Sequence, residues 1–231
     1  MLSDRLMTVA SMIPKGKKVV DIGTDHAYLP IFLTKHGLVE KVIATEIVPG
    51  PFKKAMENIQ REGLEQSIEL RLGFGFEPIS PKDADVAVIA GMGAETIIHI
   101  MESSKEICRT LDILILQPMK GNDKLRKNLF LTGYKIVDER VAQEEKKFYE
   151  VIAAVKGNQG NIDEIDLVVG PVLRKKKSPV VIEYIKFRLM KLKRLVEVLK
   201  HSESNRAALA FRKYERQIRM LKAVINDIPM R

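Results

Sequence analysis

The chain has 231 residues, 45% of them hydrophobic, with a formal net charge of +9. No window approaches the roughly 18 apolar residues of a membrane span, and the acid and base within the first seven residues are not typical of a secretory signal. Cys108 is the only cysteine, which excludes an intramolecular disulfide and a cysteine metal cluster and favours a reducing, cytoplasmic location.

The positive charge is concentrated at one end of the chain. Between Pro171 and Arg231 there are 17 Lys and Arg against 5 Asp and Glu, a net charge of +12, whereas the preceding residues have a net charge of −3. Such asymmetry indicates a polyanionic partner, of which nucleic acid is the commonest. The alternative is a solubilising helical surface.

Alternating helical and strand patterns run through the first part of the chain. Apolar residues at helical spacing predict a first helix near Ser3–Ile13, which Pro14 and Gly16 end. The predicted strands are Lys18–Ile22, Val42–Glu46, Ile68–Leu72, Val86–Ala90, Ile113–Gln117, Lys135–Arg140 and Phe148–Val155. The predicted helices between them are Ala27–Lys35, Pro51–Glu62, Ala94–Ser103 and Asn122–Leu131.

The strand pattern predicts an α/β fold with a mostly parallel sheet. Runs such as V-A-V-I-A at Val86–Ala90 lack polar alternation, which indicates strands buried on both faces. The last two predicted strands lie only about eight residues apart, too close for a crossover helix, so we expect them to form an antiparallel hairpin at an edge. This Rossmann-like layout is that of class I methyltransferases, whereas NAD-binding Rossmann domains have a sixth parallel strand.

A second domain is expected after Gly157–Gly160, which divides the chain into residues 1–160 and 161–231. Beyond the boundary, apolar residues step by three and four along two stretches separated by the breaker His201–Asn205. The two stretches predict an antiparallel helical hairpin with a coiled-coil-like seam. Its apolar positions are Ile185, Leu189, Leu192, Val196 and Leu199 in one helix and Phe211, Tyr214, Ile218, Leu221 and Ile225 in the other.

The most informative stretch is Val19–Pro30, V-V-D-I-G-T-D-H-A-Y-L-P, where an apolar strand runs into Asp21, Gly23 and Asp25. A dinucleotide-binding turn needs G-x-G-x-x-G, because its backbone approaches a pyrophosphate closely, and this loop carries one glycine. Its carboxylates would repel a diphosphate but suit a ligand with an ammonium group and a sulfonium. The loop therefore predicts S-adenosylmethionine as the cofactor. Asp25 is also a candidate N-cap for the next helix.

A second acid, Glu46, ends the second predicted strand, 25 residues after Asp21. An acid in this position characteristically accepts the ribose hydroxyls of an adenosine cofactor. The chain has no Walker-type or G-x-S-x-G motif and no [DN]-P-P-[FYW] tetrad of amino-methyltransferases. Its four histidines show no metal-ligand spacing, so no metal is expected.

Three further segments are expected at the edge where the parallel strands end. R-L-G-F-G-F at Arg71–Phe76 has two glycines that let backbone line an adenine ring, and Phe74 is a candidate for stacking on it. A-G-M-G-A at Ala90–Ala94 is expected to face the transferring methyl group, because ligands of open parallel sheets sit at this edge. Gln117-Pro118 follows the fifth strand, where a substrate base could be held.

With these motifs the chain resembles the bacterial tRNA (adenine-22-N1)-methyltransferases, a class I group, over nearly its whole length. The resemblance implies transfer of a methyl group from S-adenosylmethionine to adenine N1 in tRNA, in the cytoplasm, by a monomer or weak homodimer. It rests on the segments Asp21–Pro30, Glu46–Pro51, Arg71–Phe76, Ile89–Gly93, Leu116–Pro118, Phe148–Glu150 and Gly170–Val180.

Roles for individual residues follow from the motifs and the resemblance together. The residues expected to border the target base are Asp25, His26 and Tyr28. The expected cofactor-binding residues are Asp21, Gly23, Glu46, Ile47, Gly73, Phe74, Gly75, Gly91, Met92 and Gly93. The expected substrate-binding residues are Gln117, Pro118, Arg174, Lys175, Lys176, Lys177, Lys191, Lys193 and Arg194.

The chain departs from the family pattern at three places. Phe74 stands where the family usually has Asn or Asp, Met119 replaces an Asn, and Ala94-Glu95 replaces a glycine and its follower. Two alternatives therefore stay open: a methyltransferase with another substrate, such as ribosomal RNA or protein, and a non-catalytic RNA-binding factor with a vestigial cofactor pocket.

Overall fold

The computed structural model describes residues 2–201 and 204–226. Contacts divide the chain into two compact units, Met1–Gly160 and Asn161–Arg231. Part of the predicted breaker His201–Asn205 lies outside the described residues.

Seven strands form one sheet in the first unit, in the order β3-β2-β1-β4-β5-β7-β6. β1 to β5 are mutually parallel where they pair, and β7 lies between β5 and β6 and runs antiparallel to both. The parallel sheet and its edge hairpin are therefore confirmed. The strands are β1 Val19–Ile22, β2 Val42–Glu46, β3 Ile68–Leu72, β4 Val86–Gly93, β5 Ile113–Lys120, β6 Tyr134–Glu144 and β7 Lys147–Lys156.

Six helices accompany the sheet, with bounds close to the predicted ones. The exception is α5, a short helix that the sequence patterns do not predict. Ser3 caps α1, where its hydroxyl accepts from the Leu6 amide at 3.4 Å. The helices are α1 Asp4–Ala10, α2 Tyr28–Lys35, α3 Pro49–Arg61, α4 Ala94–Ser103, α5 Lys105–Cys108 and α6 Asn122–Leu131.

The centre of the sheet is buried on both faces, as continuous apolar strands require. Every residue of β1 and of β2 is buried. One core cluster packs Val9 of α1 and Leu33 of α2 with the strand residues Val42, Val88 and Ile115. β1 lies between β2 and β4 and is parallel to both, so the segments that follow these three strands meet at one edge of the sheet.

A buried ion cluster ties the edge hairpin to α6. Arg126 is fully buried, and its guanidinium donates from Nε to Glu139 of β6 at 2.8 Å and pairs with Glu150 of β7. Removing the arginine alone would leave two carboxylates buried without their counter-charge, which typically costs 3–5 kcal/mol. Glu150 of the F-Y-E motif thus has a structural role as a partner of the buried Arg126.

The second unit is helical. It contains α7 Glu164–Val168, a 3₁₀ turn at Leu173–Lys175, α8 Pro179–Leu199 and α9 Asn205–Asn226, and α8 packs against α9. The buried residues of α9 are Ala207, Gln217, Leu221 and Val224. The predicted position Leu221 is therefore buried, and the other predicted positions of this helix, Phe211, Tyr214, Ile218 and Ile225, are half-buried. None of the described helices is long and apolar enough to cross a membrane.

Candidate functional site

A cleft of about 1050 Å³ opens at the edge of the sheet where β1, β2 and β4 end. Its walls come from α1, the loop between β1 and α2, α2 itself, the end of β2, α3 and the segment Ala90–Met92. The cleft exceeds the roughly 300–1,000 Å³ of a typical small-ligand site. It therefore has room for a cofactor and part of a second ligand.

Asp21 brings a buried carboxylate to this cleft from the third position of β1. The residue is 6% exposed, and its carboxylate accepts a hydrogen bond from the Thr24 hydroxyl at 2.7 Å. The pKa of Asp21 is raised to about 6: burial is the main cause and the charge of Glu46 adds to it, while the Thr24 hydrogen bond and the charge of Arg5 oppose the rise. The ionised Asp21 carboxylate is therefore energetically unfavourable in the ligand-free cleft, and a bound cation would stabilise it.

Glu46, at the end of β2, is held in place by backbone amides. Its Oε1 accepts from the amides of Ile47 and Val48 at 2.9 Å, and its Oε2 accepts from the amide of Asp25 at 3.1 Å. A carboxylate offers about four lone-pair sites, so one remains. Asp21 and Glu46 both line the cleft, as the predicted cofactor site requires.

The loop between β1 and α2 is strained. Gly23 has φ of +69°, and a Cβ there would overlap the Met92 methyl group, so no other residue fits without a shift. Asp25 and Ala27 also have positive φ, 56° and 58°. Left-handed conformations cost non-glycine residues energy and cluster at functional sites. Two hydrogen bonds stabilise this loop: the amides of Gly23 and Thr24 both donate to the Thr45 carbonyl at 2.9 Å.

The three predicted base-contacting residues lie together on the cleft wall. The rings of His26 and Tyr28 stack with centroids 5.3 Å apart, and Tyr28 is 54% exposed. The Asp25 carboxylate lies 3.7 Å from His26 Nε2, and Asn58 of α3 donates to the His26 carbonyl at 2.9 Å.

The predicted N-cap role of Asp25 is wrong. Helix α2 begins at Tyr28, and its N-cap is Ala27, which has no capping side chain. The amide of Asp25 is bound by Glu46, and the left-handed turn leaves the Asp25 side chain 65% exposed, three residues before the first helical residue. The carboxylate is therefore available to a ligand.

The remaining predicted cofactor residues divide into two sets. Gly91 and Met92 line the cleft, and Gly93 is the N-cap of α4. Ile47 is 53% exposed beside Glu46. Ile47 and Gly93 are not among the cleft-lining residues, and neither are three others. The Gly73 amide binds the Glu46 carbonyl, Phe74 packs against His99 with centroids 5.5 Å apart, and Gly75 lies against Ile100.

Gln117 is fully buried, and both ends of its amide are engaged. Its Oε1 accepts from Arg5 at 2.7 Å and from the Gly91 amide at 3.0 Å, and its Nε2 donates to the Pro118 carbonyl at 3.0 Å. In this arrangement Gln117 of β5 is joined to α1 and to the end of β4. Neither Gln117 nor Pro118 lines the cleft, so their predicted contact with the substrate base stays a prediction.

Arg5 of α1 lines the cleft, and the sequence patterns do not identify it. Besides the Gln117 contact, its amide donates to Glu144 at 2.7 Å and its guanidinium lies 5.9 Å from the centre of the Tyr149 ring. No local signal distinguishes it from other polar residues of an amphipathic helix, because its partners follow more than 110 positions later.

The predicted phosphate-binding residues all belong to the second unit. Arg174 pairs with Asp166 at 2.9 Å, and Lys176 is half-buried. The exposed members of the set are Lys175, Lys177, Lys191, Lys193 and Arg194.

Comparisons with known proteins identify the family of this chain. A family model for a methyltransferase domain matches residues 2–152. The tRNA (adenine(22)-N(1))-methyltransferase of Bacillus subtilis (strain 168) is 38% identical over 208 residues, which cover 88% of this chain and 83% of that protein. The crystal structure of the B. subtilis m1A22 tRNA methyltransferase matches with a TM-score of 0.86 and 34% identity, over 97% of this chain and 99% of that one. A Streptococcus pneumoniae structure in complex with S-adenosyl-L-methionine also gives a TM-score of 0.86 at 34% identity, covering 97% and 100% of the two chains.

Proposed function

Because the chain belongs to the tRNA (adenine(22)-N(1))-methyltransferase family, we propose that it transfers the methyl group of S-adenosyl-L-methionine to N1 of adenine 22 in tRNA. The observation that carries the proposal is the pair of buried acids, Asp21 and Glu46, that line one cleft at the carboxyl edge of a parallel sheet. Such a pair matches a ligand with both an amino-acid ammonium group and a ribose.

The residues around the cleft fit this cofactor. Asp21 carries a charge that burial disfavours, so a ligand ammonium would offset part of its desolvation. Glu46 is pre-oriented by three amides and keeps one lone-pair site for a ribose hydroxyl. The backbone of Gly91–Gly93 provides a close surface for the rest of the ligand. When bound, the cofactor supplies an electrophilic methyl group on a positively charged sulfur.

The target base needs positioning more than it needs activation. Adenine N1 has an in-plane lone pair, so no residue has to remove a proton before the attack. The protein therefore contributes in-line placement and exclusion of water. The stacked His26 and Tyr28 rings offer a platform for the base, and the exposed Asp25 carboxylate would stabilise the positive charge that the methylated adenine acquires.

The second unit, which we propose as the RNA-binding domain of residues 161–231, supplies the remaining tRNA contacts. Extruding a base from a folded arm costs a few kcal/mol, and contacts between phosphates and basic side chains can offset that cost. Lys175, Lys177, Lys191, Lys193 and Arg194 are exposed and suited to this role. Arg174 must first leave Asp166, so it contributes least.

The proposed setting follows from the substrate. A tRNA-modifying enzyme works in the cytoplasm, a reducing compartment in which the single buried Cys108 needs no partner. We propose a monomer or a weak homodimer, which sedimentation at several protein concentrations would test.

The decisive experiment is nucleoside analysis of treated tRNA. We expect incubation of the protein with S-adenosyl-L-methionine and an unmodified tRNA transcript to produce 1-methyladenosine on digestion. A transcript that carries guanine at position 22 is the matched control and should stay unmethylated. Methylation at another nucleotide, or only of ribosomal RNA or protein, would contradict the proposal.

The cofactor assignment is tested separately by calorimetry. We expect Asp21→Asn and Glu46→Gln each to raise the Kd for S-adenosyl-L-methionine about tenfold or more, which is 1.4 kcal/mol. Asp112→Asn is the control, because Asp112 is exposed and pairs with Lys17 away from the cleft. Unchanged affinity in both site variants would refute the assignment.

A further inference from the structure

A second cavity, of about 490 Å³, lies at the opposite edge of the sheet. Its walls are the last turns of α4 and α6, the short helix α5, the start of β6 at Tyr134 and the end of β7 at Lys156. It shares no lining residue with the cofactor cleft. Its volume lies within the range of about 300–1,000 Å³ that small-molecule sites occupy.

The lining of this cavity carries an excess of positive charge. Lys105, Arg109 and Lys156 contribute cations, against one carboxylate, that of Glu102. The Lys156 amine donates to the Arg109 carbonyl, and Arg109 also lies 3.5 Å from the exposed Glu106. Surface pairs of this kind contribute little energy, so the cations remain able to bind an anion. The helix ends supply partial negative charge that offsets only part of this excess.

One buried acceptor in the cavity wall has no partner. Asn128 Nδ2 donates to the Glu102 carboxylate at 3.1 Å, which fixes the orientation of the amide because a carboxylate only accepts. Asn128 Oδ1 is buried, and no hydrogen bond reaches it from the described residues. Leaving such an acceptor unsatisfied is unfavourable. Because the oxygen is shielded from solvent, a ligand hydroxyl or amino group would satisfy it once the Asn128 side chain turns toward the cavity.

The other walls distinguish the kind of ligand. The Tyr134 hydroxyl is protonated at neutral pH, as in any ordinary phenol, and can donate; burial raises its pKa to about 12. Burial likewise raises the pKa of the Cys108 thiol to about 12, which makes it a poor nucleophile and excludes a thiolate site. Met101 and Leu131 provide an apolar surface, and Leu131 is 76% exposed. The cavity therefore offers cations, polar groups and an apolar face together.

We propose that this cavity binds a phosphorylated nucleoside, with the phosphate between Lys105, Arg109 and Lys156 and the base against Leu131. A sugar hydroxyl would donate to Asn128 Oδ1 when the Asn128 side chain turns toward the ligand. The same chemistry can come from a free nucleotide or from one nucleotide of an RNA strand. The site is independent of the cofactor cleft and does not rest on the proposed methyl transfer.

Titration calorimetry of the whole chain with adenosine 5′-monophosphate tests the site. We expect one equivalent to bind with a Kd on the order of 1 mM or below, and inorganic phosphate to bind at least tenfold more weakly. The variant Lys105→Ala/Arg109→Ala/Lys156→Ala should lose at least tenfold in affinity. The charge-matched control Lys41→Ala/Lys146→Ala/Lys147→Ala removes three exposed lysines elsewhere and should bind as the parent does.

Two further measurements keep the result unambiguous. Asn128→Asp keeps the size of the side chain but adds a like charge, and it should weaken nucleotide binding without a loss of thermal stability large enough to unfold the protein. A short oligoribonucleotide that competes with the nucleotide identifies RNA as the source, and absence of competition identifies a free nucleotide. If nucleotide affinity is unchanged in the triple variant but lost in Asp21→Asn, the nucleotide binds in the cofactor cleft and the proposal is overturned. The proposal is also overturned if no binding is detected at 10 mM nucleotide, on the order of ten times the expected Kd.

Discussion

Replacing Asp21 with Asn should stabilise the ligand-free protein while weakening its cofactor binding. The pKa of Asp21 is raised from 3.8 to about 6, chiefly by burial. Because the folded pKa exceeds the unfolded one, the contribution of Asp21 to stability is fully present below pH 3.8 and is lost as the pH rises through about 6. A shift of about two units, at 1.36 kcal/mol per unit, makes ionised Asp21 cost about 3 kcal/mol at pH 8.

Asparagine keeps the shape of the side chain and removes this cost. We expect Asp21→Asn to raise the free energy of unfolding by up to about 3 kcal/mol at pH 8, less whatever the weaker Thr24 hydrogen bond loses. At 2–4 °C per kcal/mol for a chain of this size, a gain of about 3 kcal/mol corresponds to a rise in melting temperature of about 6–12 °C. At pH 4, just above the unfolded pKa of 3.8, only the first part of this cost has accumulated, so the gain should shrink to about 0.5 kcal/mol.

Urea or thermal unfolding of the ligand-free protein at pH 4 and pH 8 measures this effect. Asp112→Asn is a control of opposite sign, because the ion pair with Lys17 lowers the pKa of Asp112. That control should be slightly less stable than the parent at pH 8. The reasoning is refuted if Asp21→Asn is destabilised at pH 8, or if its gain is the same at both pH values.

Three other changes probe the same unit and the basic helices. Gly23→Ala should lower the free energy of unfolding in urea by about 1–3 kcal/mol, because φ is +69° and the added methyl group meets Met92. Adding Met92→Ala should recover only the part of this loss that the clash causes. Arg5→Met removes a positive charge that lowers the pKa of Asp21. As the pH is lowered, this variant should therefore lose cofactor binding at a higher pH than the parent does, whereas Arg5→Lys should restore the parent profile. The triple variant Lys191→Ala/Lys193→Ala/Arg194→Ala in α8 should reduce the slope of log affinity for tRNA against log salt by about 2–3 without changing cofactor affinity. An unchanged slope would show that these three side chains form a solvated surface and do not contact phosphates.

Several parts of the molecule follow from local sequence signals. The bounds of β2, β3, α4 and α6 agree with the predicted ones, because apolar runs and helical periods depend on neighbouring residues. The edge hairpin follows from the short distance between two apolar runs. The acids at the tips of β1 and β2 could be assigned to one site because parallel strands present their carboxyl ends at the same edge.

Other parts depend on residues that only folding brings together. The N-cap prediction for Asp25 failed because Glu46, 21 positions later, binds the Asp25 amide and stabilises a left-handed turn that propensity disfavours. The role of Gln117 likewise depends on Arg5, 112 positions away. In α9, Gln217 and Val224 are buried beside the predicted Leu221, because packing decides which positions next to a predicted apolar stripe are also covered.

The amino-acid pattern alone therefore determined the fold class and the placement of two acids, Asp21 and Glu46, at one edge of the sheet. Only the tertiary structure decided which polar atoms are satisfied, how strongly Asp21 is desolvated, and that a second charged cavity exists at the other edge. The physical reason is range: hydrophobic periodicity acts over a few neighbouring residues, whereas desolvation and hydrogen-bond partners depend on groups far apart in the chain that meet only when the core has packed.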